Sequence, residues 1–262
     1  MFGTLTGPKD RSIASLFPRT LQLGLLAALF AFGLACAPAL ANDVGCPDKP
    51  NVPSSDGTQP PNLGILKLQL TDYKCFGGYD RDVARVLGEA QAYVERRASQ
   101  VKQPALVLDI DETSLSNWAA IKANDFGFIP HGGCKNPPAA PCGNDSWQRL
   151  AAATVIEPTL KLFKAARVNK VAVFFITGRT EDFREATEKN LRNAGYDDWS
   201  ELMLKPVCDS KTTVQQFKTE IRKEIEKKGY TIIANVGDQY SDLEGGYSER
   251  VFKVPDPFYF LP

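Results

Sequence analysis

Histidine is the residue this chain lacks most conspicuously, since its 262 residues include only His131. Zinc sites built on several histidines, phosphatases that need two histidines and most Ser-His-Asp sites therefore lose their main ingredient. A basic excess is also missing, because 31 lysines and arginines balance 31 aspartates and glutamates. A formally neutral chain argues against nucleic acid as a partner. Any chemistry must depend largely on carboxylates, hydroxyls, lysine and arginine.

The N-terminus has the pattern of a targeting segment. Residues 1–19 are polar and net basic, and residues 20–40 are almost wholly apolar. Ala39-Leu40-Ala41 forms an A-x-A cleavage site, and the polar stretch after it has no basic stop-transfer cluster. We therefore expect a signal peptide cleaved after Ala41, a secreted or periplasmic protein and no permanent membrane anchor. An uncleaved anchor and a lipid-anchored form at Cys36 are the alternatives.

Five cysteines remain in the expected mature chain, and an exported protein meets an oxidising compartment. Cys134 and Cys142 flank a proline-rich loop and are the best candidates for a disulfide. Cys46 with Cys75 is a second candidate pair, which would leave Cys208 as the odd thiol.

The remaining chain predicts an extended arm over 42–62 and one domain over 63–262. The arm contains five prolines with serine, aspartate, asparagine and glycine between them. Residues 79–99 instead have apolar side chains at a helical period. Apolar runs typical of buried strands then alternate with helical patterns, which predicts an α/β fold with a parallel sheet and helices on both faces. The runs are 105–110, 171–177, 201–205 and 231–238, and the helical patterns are 157–168, 180–194 and 211–228.

An insertion of about 114–156 interrupts this alternation after the first strand. It contains glycines, prolines, aromatic residues and two cysteines. Its position predicts a small cap above the carboxyl edge of the sheet, where α/β proteins bind ligands.

Acidic residues follow the first and last of the four strand candidates. The first run continues into D-x-D-E-T, the second ends in T-G-R and the fourth continues into G-D-x-x-x-D. Because parallel strands end at one edge, Asp109, Asp111, Asp238 and Asp242 should converge. Two carboxylates about 4 Å apart repel by about 4 kcal/mol at an effective dielectric constant near 20, so the group needs a cation. Oxygen ligands without histidine favour Mg²⁺, although Asp242 alone could equally be a helix cap.

Three segments resemble one known family: LDIDETSLSN, FFITGRTEDFREATEKNLRNAGY and GYTIIANVGDQYSD. They are similar to the haloacid dehalogenase (HAD) superfamily, and most similar to its acid phosphatase group. That group includes plant vegetative-storage-protein-like, class B and bacterial class C acid phosphatases. The resemblance runs from about Tyr79 to about Pro255. It implies a Rossmann-like HAD core with a small cap insertion after the first core strand.

The resemblance also implies a role for each acidic residue. Asp109 corresponds to the nucleophile that becomes an aspartyl-phosphate. Asp111 corresponds to the general acid of the first step and the general base of the second. Asp109, the backbone carbonyl of Asp111 and Asp238 correspond to Mg²⁺ ligands. Asp242 corresponds to a residue of the metal site that acts through water or from behind the direct ligands.

The phosphate-binding residues follow from the same resemblance. Thr177 and Gly178 match the segment that holds the phosphoryl oxygens. For Arg179, contact with phosphate and pairing with a carboxylate are both open. Lys218 is preferred to Lys205 as the phosphate-binding lysine, because the family spacing to the last acidic motif favours it.

The implied function is a secreted Mg²⁺-dependent acid phosphatase acting on small-molecule phosphate monoesters, nucleotides among the candidate substrates. A narrow 5′-nucleotidase, a phosphotransferase with the same first half-reaction and a catalytically silent storage or binding protein are the alternatives. A receiver-like signalling domain also uses Asp, Thr and Lys, but the export signal and the second acid oppose it. The resemblance favours an acidic pH optimum, and the oligomeric state does not follow from the sequence.

Overall fold

The computed structural model describes residues 60–134, 140–209 and 211–261. The expected signal peptide, its cleavage site and nearly all of the 42–62 arm lie outside these residues. Within the described ranges, no helix combines the length and the apolar character needed to cross a membrane.

A five-stranded parallel sheet forms the centre of the domain. The described residues form seven strands, five in this sheet and two in a separate pair: β1 (Pro104–Leu108), β2 (Leu115–Ser116), β3 (Thr154–Val155), β4 (Ala172–Thr180), β5 (Glu201–Lys205), β6 (Thr231–Gly237) and β7 (Val251–Lys253). The sheet order is β5-β4-β1-β6-β7, and β2 and β3 pair separately. The four predicted strands are therefore confirmed. The edge strand β7 was not predicted, because three residues with one buried side chain carry little apolar signal.

Eight α-helices accompany the strands in the described part of the chain. They are α1 (Leu63–Cys75), α2 (Gly78–Arg97), α3 (Trp118–Ala123), α4 (Asn144–Leu150), α5 (Glu157–Val168), α6 (Arg184–Asn193), α7 (Val214–Lys227) and α8 (Tyr240–Leu243). The predicted helical patterns correspond to α2, α5, α6 and α7. Helix α6 begins later than predicted because β4 extends to Thr180 and a 3₁₀ turn follows. Helix α1 was not predicted. None of its side chains is fully buried, so its sequence carries no clear apolar period.

Strand β1 shows why both faces of the sheet are covered. Leu106 and Leu108 lie in the larger apolar core with residues of α2 and α5, whereas Ala105 and Val107 pack with residues of α7. These four side chains are at most 2% exposed. The predicted sheet with helices on both faces is confirmed.

The insertion after β1 folds as a small cap, with β2 and β3 paired antiparallel and α3 and α4 between them. Cys134 and Cys142 form a disulfide there, as expected. The expected pairing of Cys46 with Cys75 is wrong: Cys46 lies outside the described residues, and Cys75 is an exposed free thiol at the end of α1. Cys208 takes part in a disulfide, so it is not the odd thiol. Cysteine spacing does not encode connectivity, which depends on tertiary contacts.

Candidate active site

The parallel pairing of β1 with β4 and β6 brings the polar ends of three strands to one edge. Asp109 directly follows β1, and its backbone N–H donates to the carbonyl of Val236 in β6 at 3.0 Å. Thr177 belongs to β4, and Asp238 directly follows β6. The sheet topology thus places the sequence motifs side by side.

Three carboxylates form a buried cluster at this edge. Asp109, Asp238 and Asp242 each offer an oxygen, and these oxygens lie within 4.8 Å of one another. Their exposed fractions are 6%, 1% and 5%. Thr113 Oγ1 donates to Asp238 Oδ1 at 2.9 Å. An all-oxygen donor set of this charge fits a hard divalent cation such as Mg²⁺.

Lys218 is the lysine that reaches this cluster. It comes from the first turns of α7, whose start is fixed by a capping box between Thr213 and Gln216. Lys218 Nζ is hydrogen-bonded to Asp109 Oδ1, and it contacts Asp242 Oδ1 at 2.7 Å. Lys205 instead donates to the backbone carbonyl of Asp209.

The cluster holds more negative charge than the lysine balances. Burial and the Asp242 carboxylate raise the pKa of Asp109 to about 7, although Lys218 opposes the shift. Burial and the neighbouring carboxylates also raise the pKa of Asp238. Burial lowers the pKa of Lys218, but its two carboxylate partners outweigh this and raise it. The excess of carboxylate charge is what a bound cation would neutralise.

This charge excess predicts that Mg²⁺ stabilises the protein more as the pH rises from about 4 to about 7. The pKa of Asp109 is about 7 in the folded chain, against an ordinary value of 3.8. Between these two pH values the metal-free folded protein holds a proton on Asp109 that the unfolded chain has released. Proton binding at Asp109 therefore stabilises the metal-free protein fully below pH 3.8, and this stabilisation is lost as the pH rises through about 7. The melting temperature in Mg²⁺ should therefore exceed that in EDTA by an amount that grows as the pH rises over this interval. A separation that stays constant or narrows would contradict the assignment.

Asp111 lies beside the cluster in a different environment. Arg179 donates two hydrogen bonds to the carboxylate of Asp111, from Nη2 to Oδ1 at 2.6 Å and from Nε to Oδ2 at 3.0 Å. Burial raises the pKa of Asp111, but the charge and hydrogen bonds of Arg179, with smaller contributions from Asn117 and Lys218, outweigh it, and the net shift is downward. Of the two roles left open for Arg179, the structure shows the pairing with a carboxylate.

Thr177 and Gly178 occupy the end of β4. Thr177 is fully buried, and its Oγ1 accepts the backbone N–H of Arg179 at 3.2 Å. Val214, the first residue of α7, packs over Gly178, where an added Cβ would meet its methyl groups at 3.4 Å. The distance is that of an ordinary van der Waals contact, so the helix that carries Lys218 packs directly against this end of the strand.

Asp242 acts both as a helix cap and as a member of the cluster. Its Oδ2 accepts the backbone N–H of Gln239 at 2.8 Å at the start of α8, while its Oδ1 accepts from Lys218. Gly237 leaves room for this arrangement, since a Cβ there would lie 2.6 Å from Asp242 Oδ2. Any side chain at position 237 would collide with Asp242, so a glycine is required directly before Asp238.

Several residues of the site were not found from the sequence. Glu112 is buried in a left-handed backbone conformation, and burial together with Asp111 raises its pKa to about 8. Gln239 Nε2 donates to both Asp238 Oδ2 and Asp256 Oδ2 at 2.8 Å. Glu112 and Gln239 lie inside the quoted motifs, which could have indicated them. Asp256 follows the unpredicted strand β7 and had no such signal.

Comparisons with known proteins agree with this geometry. The family model described as "HAD superfamily, subfamily IIIB (Acid phosphatase)" matches residues 64–262. Acid phosphatase 1 of Solanum lycopersicum is 32% identical over 194 residues, which cover 73% of each chain. The stem 28 kDa glycoprotein of Glycine max is 33% identical over 65% of this chain and 66% of its own. Vegetative storage protein 1 of Arabidopsis thaliana is 34% identical over 60% of this chain and 55% of its own.

A solved structure supports the fold. The class C acid phosphatase from Bacillus anthracis superposes with a TM-score of 0.59 at 21% identity, over 76% of this chain and 86% of that one. At this identity the likeness concerns the architecture alone. The match of the family model to nearly the whole domain carries the assignment, and the chain belongs to the HAD superfamily, subfamily IIIB, the acid phosphatase family of phosphomonoester hydrolases.

Proposed function

We propose that this protein is an exported Mg²⁺-dependent acid phosphatase that hydrolyses small phosphate monoesters through an aspartyl-phosphate on Asp109. One observation carries the proposal. Asp109, Asp238, Asp242 and Lys218 share a single buried site, and Asp111 stands next to it with a separate partner. This is the division of labour that a two-step phosphoryl transfer needs.

In the first step, an oxygen of Asp109 attacks phosphorus, and the bond from phosphorus to the leaving oxygen breaks. Asp111 gives its proton to that leaving oxygen, so the alcohol departs neutral. Lys218 and the hydroxyl of Thr177 stabilise the charge on the phosphoryl oxygens. Neutralising that charge is the main catalytic demand of phosphoryl transfer.

In the second step, water attacks the phosphorus of the aspartyl-phosphate, and the bond to Asp109 breaks. Asp111 now accepts the proton of the attacking water. The lowered pKa of Asp111 supports an acidic optimum, because a proton for the first step is then available mainly at low pH. Arg179 contributes most to that lowering, and Asn117 and Lys218 add to it, so these three residues together favour the ionised form of Asp111.

The carboxylates of Asp109 and Asp238 and the backbone carbonyl of Asp111 would hold the cation. When bound, Mg²⁺ supplies positive charge against the phosphoryl oxygens. Asp242 would take part directly or through water, since one of its oxygens already accepts from Lys218.

Removal of metal provides the first test of the proposal. Dialysis against EDTA should abolish hydrolysis of a phosphate monoester, and added Mg²⁺ should restore it. Asp238→Asn removes one charged ligand and should raise the Mg²⁺ concentration needed for half-maximal activity by about tenfold or more. Full activity of the wild-type protein in metal-free buffer would refute the metal assignment.

Export is supported by two independent features. The Cys134–Cys142 disulfide suits an oxidising compartment. Relatives from soybean carry the name stem glycoprotein, and glycosylation belongs to the secretory route. We propose a mature chain that begins at Asn42.

A catalytically silent storage protein is the second candidate, because two relatives are named vegetative storage proteins. The presence of Asp109 and Asp111 together favours activity over silence. The EDTA experiment separates the two, because a storage protein shows no Mg²⁺-dependent hydrolysis under any condition.

A further inference from the structure

Asn117 connects the two acidic residues of the first motif. It lies between β2 and α3, where the cap begins. Its side-chain Nδ2 donates to Asp111 Oδ1 at 2.8 Å and to Glu112 Oε2 at 2.9 Å. Its backbone N–H also donates to Glu112 Oε1 at 2.5 Å.

Trp147 fixes the orientation of the Asn117 amide. This residue comes from α4 in the cap, is 5% exposed, and donates its indole Nε1–H to Asn117 Oδ1 at 2.7 Å. An indole N–H can only donate a hydrogen bond, so its partner must be the amide oxygen of Asn117. Rotating the Asn117 amide by 180° would set the N–H donors of the amide against the N–H donor of the indole. The tryptophan holds the amide nitrogen toward Asp111.

The cap holds Trp147 in place by contacts of its own. Asn124, just after α3, exchanges two hydrogen bonds with the backbone of Cys142, at 2.7 Å and 2.9 Å. Cys142 is disulfide-bonded to Cys134 and precedes α4 by two residues. The start of the helix that carries Trp147 is thus anchored on two sides.

The hydrogen bond from Asn117 makes the two oxygens of Asp111 unequal. Oδ1 accepts from Asn117 and from Arg179 Nη2, whereas Oδ2 accepts only from Arg179 Nε among the described residues. The oxygen with fewer donors is the one with a lone pair left for a proton.

We propose that Asn117 and Trp147 are positioning residues through which the cap orients the Asp111 carboxyl group for proton transfer. The inference depends on the proposed function, because it assigns Asp111 the proton. It predicts that these residues matter most where the leaving oxygen needs that proton. Alkyl phosphates have poor leaving groups and need it, whereas 4-nitrophenyl phosphate does not.

The test compares first-turnover rates of an alkyl phosphate and 4-nitrophenyl phosphate in rapid-quench experiments, so that the second step does not interfere. Trp147→Phe removes the indole N–H and keeps an aromatic ring. It should slow the alkyl ester about tenfold and leave the aryl ester within about twofold, since partners that orient a functional group are worth about 10–100-fold. Asp111→Asn is the reference and should change the same ratio further.

Two variants make the test specific. Trp199→Phe is the matched control, because Trp199 packs on Phe175 and Arg192 away from the site, and its ratio should equal the wild-type ratio. Asn117→Ser removes the amide and should change the ratio at least as much as Trp147→Phe does. In the double variant, Trp147→Phe should add no further change in the ratio, because the tryptophan acts through Asn117.

An unchanged ratio in Asn117→Ser would overturn the proposal, whether or not Trp147→Phe folds. A Trp147→Phe effect that persists undiminished in the double variant would overturn it as well. Both results are read in enzymes that still hydrolyse the aryl ester, so they leave the proposed function standing. A wild-type protein inactive on both esters would instead remove the proposed function and this inference with it.

Discussion

Replacing Asp109 with asparagine should reduce turnover by on the order of 10⁴-fold or more, because it removes the attacking anion. The side chain keeps its shape, and the loss of one charge from a cluster rich in negative charge relieves repulsion. The fold should therefore survive, and the melting temperature of the metal-free variant should be at least that of the wild type. Steady-state hydrolysis of 4-nitrophenyl phosphate and a thermal melt measure the two effects.

Asp198→Asn is the matched control for this substitution. Asp198 is an exposed carboxylate in the loop before β5, and it pairs with Arg167 of α5. The same chemical change at Asp198 should leave turnover unaltered. Mass spectrometry must show that residue 109 remains asparagine, since deamidation would restore the nucleophile. A homogeneous, folded Asp109→Asn protein with near-wild-type turnover would disprove nucleophilic catalysis at this position.

Lys218→Met is expected to reduce both activity and stability. Lys218 has 3% of its side chain exposed, and its removal leaves the carboxylates of Asp109 and Asp242 buried without their cation. Breaking a buried ion pair in this way costs about 3–5 kcal/mol of the free energy of unfolding. Turnover should fall by about 10²–10³-fold, the scale measured when one stabilising donor is removed from a catalytic site.

The stability loss from Lys218→Met should depend on pH and metal. It should shrink as the pH falls below about 7, where Asp109 becomes protonated, and in Mg²⁺, which supplies another cation. Lys228→Met is the control, because Lys228 caps the other end of α7 and pairs with Glu201 at the surface. Its effect should stay within about 0.5 kcal/mol. Equal destabilisation by the two variants at neutral pH would contradict the role given to Lys218.

The motifs predicted which acidic side chains come together at the sheet edge, but they did not predict the groups that surround them. Buried parallel strands read as continuous apolar runs, and their parallel pairing alone brings Asp109, Thr177 and Asp238 to one edge. The same topology explains why Lys205 is not the lysine of the cluster. It ends β5, two strands from β1, which corresponds to a lateral separation of about 10 Å.

Contacts between distant parts of the chain could not be predicted from the sequence. The hydrogen bond from Trp147 to Asn117 joins residues 30 apart, and the one from Gln239 to Asp256 depends on the short strand β7. The pairing of Cys46 with Cys75 failed for the same reason. Local patterns encode elements and their ends, whereas cross-contacts between loops depend on packing that no single segment specifies.

Trapping the covalent intermediate tests the central claim most directly. The enzyme is denatured during the first turnover of a phosphate monoester and treated with borohydride, which reduces an acyl phosphate to an alcohol. The aspartyl-phosphate mechanism predicts homoserine at position 109, found by peptide mass spectrometry, and none there when substrate is omitted. Substrate turned over under the same conditions with Asp109 unmodified, or with the reduced alcohol at another aspartate or glutamate, would contradict it.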